Sequence, residues 1–232
     1  MPIILCLETS TNTCSVSLFK ESELLAEYNL HIKNSHSEVL SKMINDLLAT
    51  VGYTIKELNA IAVSIGPGSY TGLRIGVSTA KGLAYGLDIP IIKVDTLQAM
   101  AYEVSHYVQR GTLFPMIDAR RMEVYTMQTD EQARVIKEAY PLILEETSFD
   151  AFEQEIYLFG NGAEKCKELY DKHEKIIFIN NISPSSKNIG ALAIKKYDQG
   201  IFEDIQTLEP FYLKAFYSPK AKNPLTKSIG KK

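Results

Sequence analysis

Cysteine is scarce in this chain, with single residues at positions 6, 14 and 166. Three is an odd number and no CxxC spacing occurs, so neither a disulfide framework nor a thiolate zinc site is expected, and the cytoplasm is the expected compartment. Histidine gives no metal pattern either: His31 and His36 straddle a helix start, and His106 and His173 have no second His or Cys near them in sequence. Long apolar runs are missing too. The opening MPIILCLETS carries a short run, Ile3 to Leu7, without a basic lead or a cleavage site, which reads as a buried strand and not as a signal peptide or a membrane span. Nor does one sign of charge dominate. Lys and Arg number 25 against 28 Asp and Glu, a formal net charge of −3, so no global field would hold a polyanion unaided. Only residues 216–232 are biased, with Lys220, Lys222, Lys227, Lys231 and Lys232 among Pro, Ser and Asn, a composition expected of a flexible, solvated tail.

What is present suits a globular α/β chain: 232 residues, 45% hydrophobic, enough to bury a large core. Segments 2–8, 14–20 and 24–32 read as an antiparallel strand meander. A helix over 35–51 follows, opened by a Ser35/Glu38 capping box and stopped at Gly52. Strand 60–65, helix 70–85 and strand 89–94 complete the series. The pattern restarts with strands at 112–118, 122–129 and 133–140, then strand 156–160, helix 163–173, strand 175–179 and helix 184–197. Such duplication predicts two ribonuclease-H-like α/β subdomains, 1–105 and 106–215, facing each other across a cleft.

Each half places an acid at the end of its first strand, Glu8 in Glu8-Thr9-Ser10 and Asp118 in Asp118-Ala119-Arg120. Turns of this kind can hold magnesium and phosphate, and Glu8, Thr9, Ser10, Gly66, Asp118 and Gly160 form a vestigial nucleotide-site candidate. The plainer alternative is that acids and hydroxyls there only satisfy turn amides. The loop GPGSYTG, 66–72, lacks the terminal Gly-Lys-Ser/Thr of a Walker loop and the spacing of a dinucleotide fingerprint. Its structural alternative is a tight turn at Pro67, with Ser69 capping the next helix.

Two helices carry more apolar surface than one core contact needs. In 70–85, Leu73, Val77, Ala80 and Ala84 share a face, Ile75 is nearly opposite, and Arg74, Ser78 and Lys81 form a narrow polar wedge. In 35–51, Val39, Leu40, Met43, Ile44, Leu47, Leu48 and Val51 cover roughly 180° of the wheel. This surplus predicts a helix-bundle interface with a second protein through His36, Leu40, Met43, Leu47, Tyr70, Leu73, Arg74, Val77, Ala80, Lys81 and Ala84. A charge at Leu73 or Ala80 is then expected to abolish association and spare the monomer.

Five segments in order, LETSTNTCSVSL, GPGSYTGLRIG, IDARRMEVY, FGNGA and PFYLK, together resemble the TsaB (YeaZ) family over residues 5–214. The resemblance implies an actin-like ATPase (sugar-kinase and Hsp70-type) fold. It also implies a non-catalytic role in making N6-threonylcarbamoyladenosine in tRNA, alongside the catalytic relative TsaD and the ATPase TsaE. Homodimerisation is a further expectation, tRNA is expected to be reached only through the complex, and no membrane is involved. The catalytic relatives carry an HxxxH metal pair after the strand matching 89–94. Here Thr96 and Met100 stand in its place, so no metal and no cofactor of its own are expected, and a nucleotide at the partner interface is left open. The alternative is an autonomous weak ATPase or small-molecule kinase.

Overall fold

The computed structural model describes residues 1–32 and 36–214; Ser35 of the expected capping box and the Lys-rich 216–232 segment lie outside them. The described residues form ten strands and five α-helices; the strands and four of the helices follow the order expected, and the fifth helix, at 96–104, is not among the expected elements. The first sheet is built from β1 (Ile3–Glu8), β2 (Cys14–Lys20), β3 (Glu23–Leu30), β4 (Ala60–Ser64) and β5 (Ile91–Val94), in the order β3-β2-β1-β4-β5. The second uses β6 (Thr112–Asp118), β7 (Glu123–Thr129), β8 (Val135–Ile143), β9 (Ile156–Phe159) and β10 (Ile176–Ile179), in the order β10-β9-β6-β7-β8. Each begins with an antiparallel meander and ends with two parallel strands added beside its first strand. One topology is thus used twice, as the duplicated actin-like fold requires. The central strand β1 is buried throughout, which is why its sequence is a continuous apolar run with no alternation. At the edge, β3 is partly exposed along most of its length.

The helices are α1 (His36–Val51), α2 (Tyr70–Leu87), α3 (Thr96–Val104), α4 (Cys166–Tyr170) and α5 (Ser186–Asp198). Ser69 caps α2 as expected, accepting from the Gly72 amide at 3.2 Å. Gly52 ends α1 with a φ of +76°, where a side chain would be strained. The segment expected as one helix over 163–173 is instead a short 3₁₀ turn, Ala163–Lys165, running into the five-residue α4. No helix of the described residues is long and apolar enough to cross a membrane.

Residue 105 separates the two sheets in sequence, yet the helices cross over. Leu97, Met100, Ala101 and Val104 of α3 join a core with Leu113, Ile117 and Met127 of the second sheet. In return Ile189 and Ala193 of α5 join Ile4, Cys6, Ala62 and Ile92 of the first. Gly190 lets α5 approach this sheet; a Cβ there would lie 2.2 Å from the Phe19 ring.

Asp95 caps α3, its Oδ1 accepting from the Gln98 amide at 3.0 Å. Burial pushes this carboxyl up to about 6, against the pull of the capping amides. The folded value lies above the unfolded one, so the contribution to stability is complete below about pH 4 and is lost as pH rises through 6. Asp95→Asn keeps a capping oxygen without the buried charge. We expect it to exceed the parent by about 2 kcal/mol at pH 7–8 and to converge with it near pH 4, read from denaturant midpoints across that range.

Candidate functional site

β1 and β6 run out side by side at the cleft between the lobes, and the turn after each is built differently. The first is sealed. Ser69 donates its amide to the Ser10 carbonyl at 2.6 Å, and the Thr9 hydroxyl donates to the Gly72 carbonyl at 2.8 Å. A Cβ on Gly68, Gly72 or Gly76 would lie 2.3 Å from the Ser10 carbonyl oxygen, 2.1 Å from that of Thr9, and 2.2 Å from Thr9 Oγ1. The glycines of GPGSYTG and the following helix turn therefore admit the chain's own first turn, and the amide of Ser69 is already spent.

Glu8 lies beneath this seal, fully buried. Its Oε1 accepts from the Ser10 amide at 2.5 Å, while Oε2 has no hydrogen-bond partner. Burial raises its carboxyl above the usual range despite nearby donors, favouring the neutral acid. Of the six residues expected to mark a nucleotide site, Ser10 and Asp118 line the cleft. Glu8 and Thr9 are fully buried beneath the loop instead. Gly66 and Gly160 have positive φ, and a Cβ on them would lie 2.8 Å from Leu73 Cδ1 and 2.3 Å from the Met116 carbonyl oxygen, so backbone packing accounts for both.

The second turn is open. Asp118 is half exposed, ion-paired with Lys165, and accepts from the Arg120 amide at 2.7 Å. Arg120 and Arg121 both take left-handed backbone, with φ of 69° and 50°, a cost of about 1–2 kcal/mol each without glycine. Lys165 secures the turn: besides Asp118, its ammonium reaches the carbonyls of Arg121 at 2.5 Å and Glu123 at 3.0 Å. Between the two turns the cleft encloses about 460 Å³, with Asn161, Tyr125, Tyr212 and Lys214 among its walls. Sequence reasoning gave these four no role, although Tyr212 and Lys214 belong to the PFYLK segment.

That segment straps the cleft to α2. Phe211 donates to the Ile65 carbonyl at 2.8 Å, and Tyr212 stacks on Tyr70 with centroids 4.8 Å apart. Arg74 lies over the Tyr70 ring at 4.1 Å and donates to the Tyr212 hydroxyl at 3.1 Å. Lys214 ion-pairs with Glu123 on the opposite lobe. Among the described residues no group of three His, Cys, Asp or Glu side chains could hold a metal. Thr96 is buried, and Met100 is buried beside Gly160.

The expected partner face needs correction. His36, Leu40, Met43, Leu47, Leu73, Val77, Ala80 and Ala84 are all buried inside this chain. The wide apolar arc of α1 is consumed by β2, β3 and the neighbouring α2, so its outer side is polar. A charge at Leu73 or Ala80 would strike the core and not an interface. Tyr70, Arg74 and Lys81 remain accessible, although the first two are engaged with Tyr212 and Lys81 donates to the Leu208 carbonyl at 3.0 Å.

What α2 does expose is a stripe of Thr71, Ser78, Gly82, Tyr85 and Gly86, with Tyr85 81% accessible. Gly82 and Gly86 have nothing within 4 Å of a Cβ. Each costs the helix about 1 kcal/mol relative to alanine, with no packing inside the chain to account for it.

The family model described as TsaD: tRNA N6-adenosine threonylcarbamoyltransferase matches residues 23–224. The tRNA threonylcarbamoyladenosine biosynthesis protein TsaB of Bacillus subtilis is 42% identical over 123 residues, 53% of each chain, so that match spans about half the relative's length. The protein of the same name from Buchnera aphidicola subsp. Baizongia pistaciae is 30% identical over 90% of this chain and 97% of its own. The solved structure of YeaZ from Pseudomonas aeruginosa superposes with a TM-score of 0.81 at 26% identity, covering 92% of this chain and 100% of that one. A family model over most of the chain, a relative matched along almost its whole length and a shared fold agree, and the chain belongs to the TsaB (YeaZ) family.

Proposed function

We propose that this chain is a helper subunit in tRNA threonylcarbamoyladenosine synthesis that makes no bond itself. In this reading the exposed stripe of α2 docks on the catalytic relative TsaD, the ATPase TsaE joins the assembly, and tRNA is engaged through the complex. The observation that carries it is the pair of open glycines. In a helix with no internal use for them, Gly82 and Gly86 let a partner backbone approach as closely as small-residue stripes allow, and Tyr85 supplies an aromatic anchor beside them. The same stripe meeting its own copy accounts for a homodimer of the free chain.

The rival reading, an autonomous ATPase or kinase, needs an ionised carboxylate and free amides at the first turn. The burial of Glu8 and the commitment of the Ser69 amide weigh against it. A nucleotide shared with the partner stays compatible with the helper role.

Two outcomes are expected. Gly82→Leu and Tyr85→Asp should each weaken association with TsaD by about 100-fold or more, roughly 3 kcal/mol, in surface-immobilised binding. Far-UV circular dichroism should stay at parent levels, because neither site packs against the fold. Equal affinity in both variants refutes the docking face. Separately, calorimetry of the isolated chain with ATP and magnesium should register no saturable binding; micromolar binding abolished by Asp118→Ala would favour the enzyme.

A further inference from the structure

Among the described residues the β6–β7 turn alone sets two successive non-glycine residues in left-handed backbone, and neither the fold nor the docking face explains it. Ala119 donates its amide to the Glu123 carbonyl at 3.1 Å, which leaves a three-residue loop, Arg120 to Met122; positive φ at two successive loop residues ordinarily takes Asn or Gly. Here it takes Arg120-Arg121. Lys165 holds it by giving its three donors to Asp118, Arg121 and Glu123. Asp118 and Glu123, the acids nearest the turn, are thereby matched by Lys165 and Lys214. Both arginines are exposed, and among the described residues neither has an ion-pair partner. Strain kept at an exposed position by surrounding contacts points to use. The use that two adjacent guanidiniums serve best is forked hydrogen bonding to phosphate oxygens. Arg120 also borders the cleft, whose walls present the Tyr125 ring and the side-chain NH2 of Asn161, the Asn161 oxygen being held by the Asp118 amide at 2.9 Å; an aromatic face and a donor suit an unpaired base.

We propose that the Arg120-Arg121 turn is a phosphodiester-binding element that grips single-stranded RNA at the cleft mouth, with Lys165 as its positioning residue. The choice of RNA over another polyanion rests on the function proposed above. An acidic protein segment would find the same charges but would gain nothing from the adjoining polar, aromatic cleft.

The test uses the full chain and a fluorescein-labelled single-stranded RNA, titrated by anisotropy at 50, 100 and 200 mM KCl. Arg120→Ala/Arg121→Ala should weaken binding about tenfold or more at 50 mM and flatten the log–log salt dependence by about 1.4, two contacts at roughly 0.7 each. The control Arg110→Ala/Arg134→Ala removes the same charge from the far end of the second sheet and should bind within about twofold of the parent. Arg120→Asn/Arg121→Gly separates function from folding. It should bind RNA as poorly as the alanine pair while its Tm rises by about 3 °C, because the turn is relieved. Parent-like binding by either turn variant overturns the proposal. So does equal loss in the control, a lower Tm for Asn-Gly, or loss of all RNA binding on Lys220→Gln/Lys222→Gln/Lys227→Gln. Displacement of the RNA by polyglutamate at matched charge would assign the turn to an acidic protein instead. TsaD association, measured in parallel, should be unchanged in the turn variants, so failure here is distinguishable from failure of the docking face.

Discussion

Close packing of a glycine loop on the first turn governs the rest of the molecule. With Gly68, Gly72 and Gly76 pressed against Thr9 and Ser10, the first two turns of α2 lie directly over the end of β1. This contact does two things at once. It buries Glu8 beneath the loop, and it fixes which side of α2 faces outward. The buried acid at the first turn and the outward stripe of α2 are then consequences of a single approach between two pieces of backbone.

The lobes share a topology but differ where they meet. The first lobe's turn is packed under the glycine loop and presents only uncharged side chains to the cleft. The second lobe's turn is open, held by an ion pair and raised on two left-handed arginines. Duplication supplied two equivalent positions: at the first the acid is buried and Ser10, Thr11 and Asn12 face the cleft, while at the second the acid itself, Asp118, reaches it. Phe211 to Lys214 then ties the two together, bonded to Ile65 just past β4 at one end and to Glu123 of β7 at the other.

Much of this was legible in the sequence because it is local. Apolar runs gave the strands, Ser69 gave the start of α2, and the repeated order of segments gave two sheets of one topology. The partner face was misjudged for a definite reason. A helical wheel shows which residues of α1 and α2 are apolar but not what covers them, and β2, β3 and β4 cover those expected to be free. Gly82 and Gly86, whose open surroundings carry the proposed docking face, are residues that a wheel scores as neutral. The Arg120-Arg121 turn was hidden as well. Its residue types do not advertise left-handed backbone, and the ammonium that holds it comes from Lys165, far along the chain. Nor did the sequence disclose that α3 and α5 trade places, since that exchange is made wholly of long-range contacts.

The traded helices bear on how such a chain can assemble at all. Cut near residue 105, the first fragment would carry α3 with nothing to lie against and would leave uncovered the sheet surface of Ile4, Cys6, Ala62 and Ile92; the second would keep α5 and bare Leu113, Ile117 and Met127. Each piece keeps a core of its own on one face of its sheet and loses the cover of the other, so the exchanged helices couple the stability of the two halves. During synthesis from the N-terminus, the second face of the first sheet gains its cover only once the chain has passed Ala193.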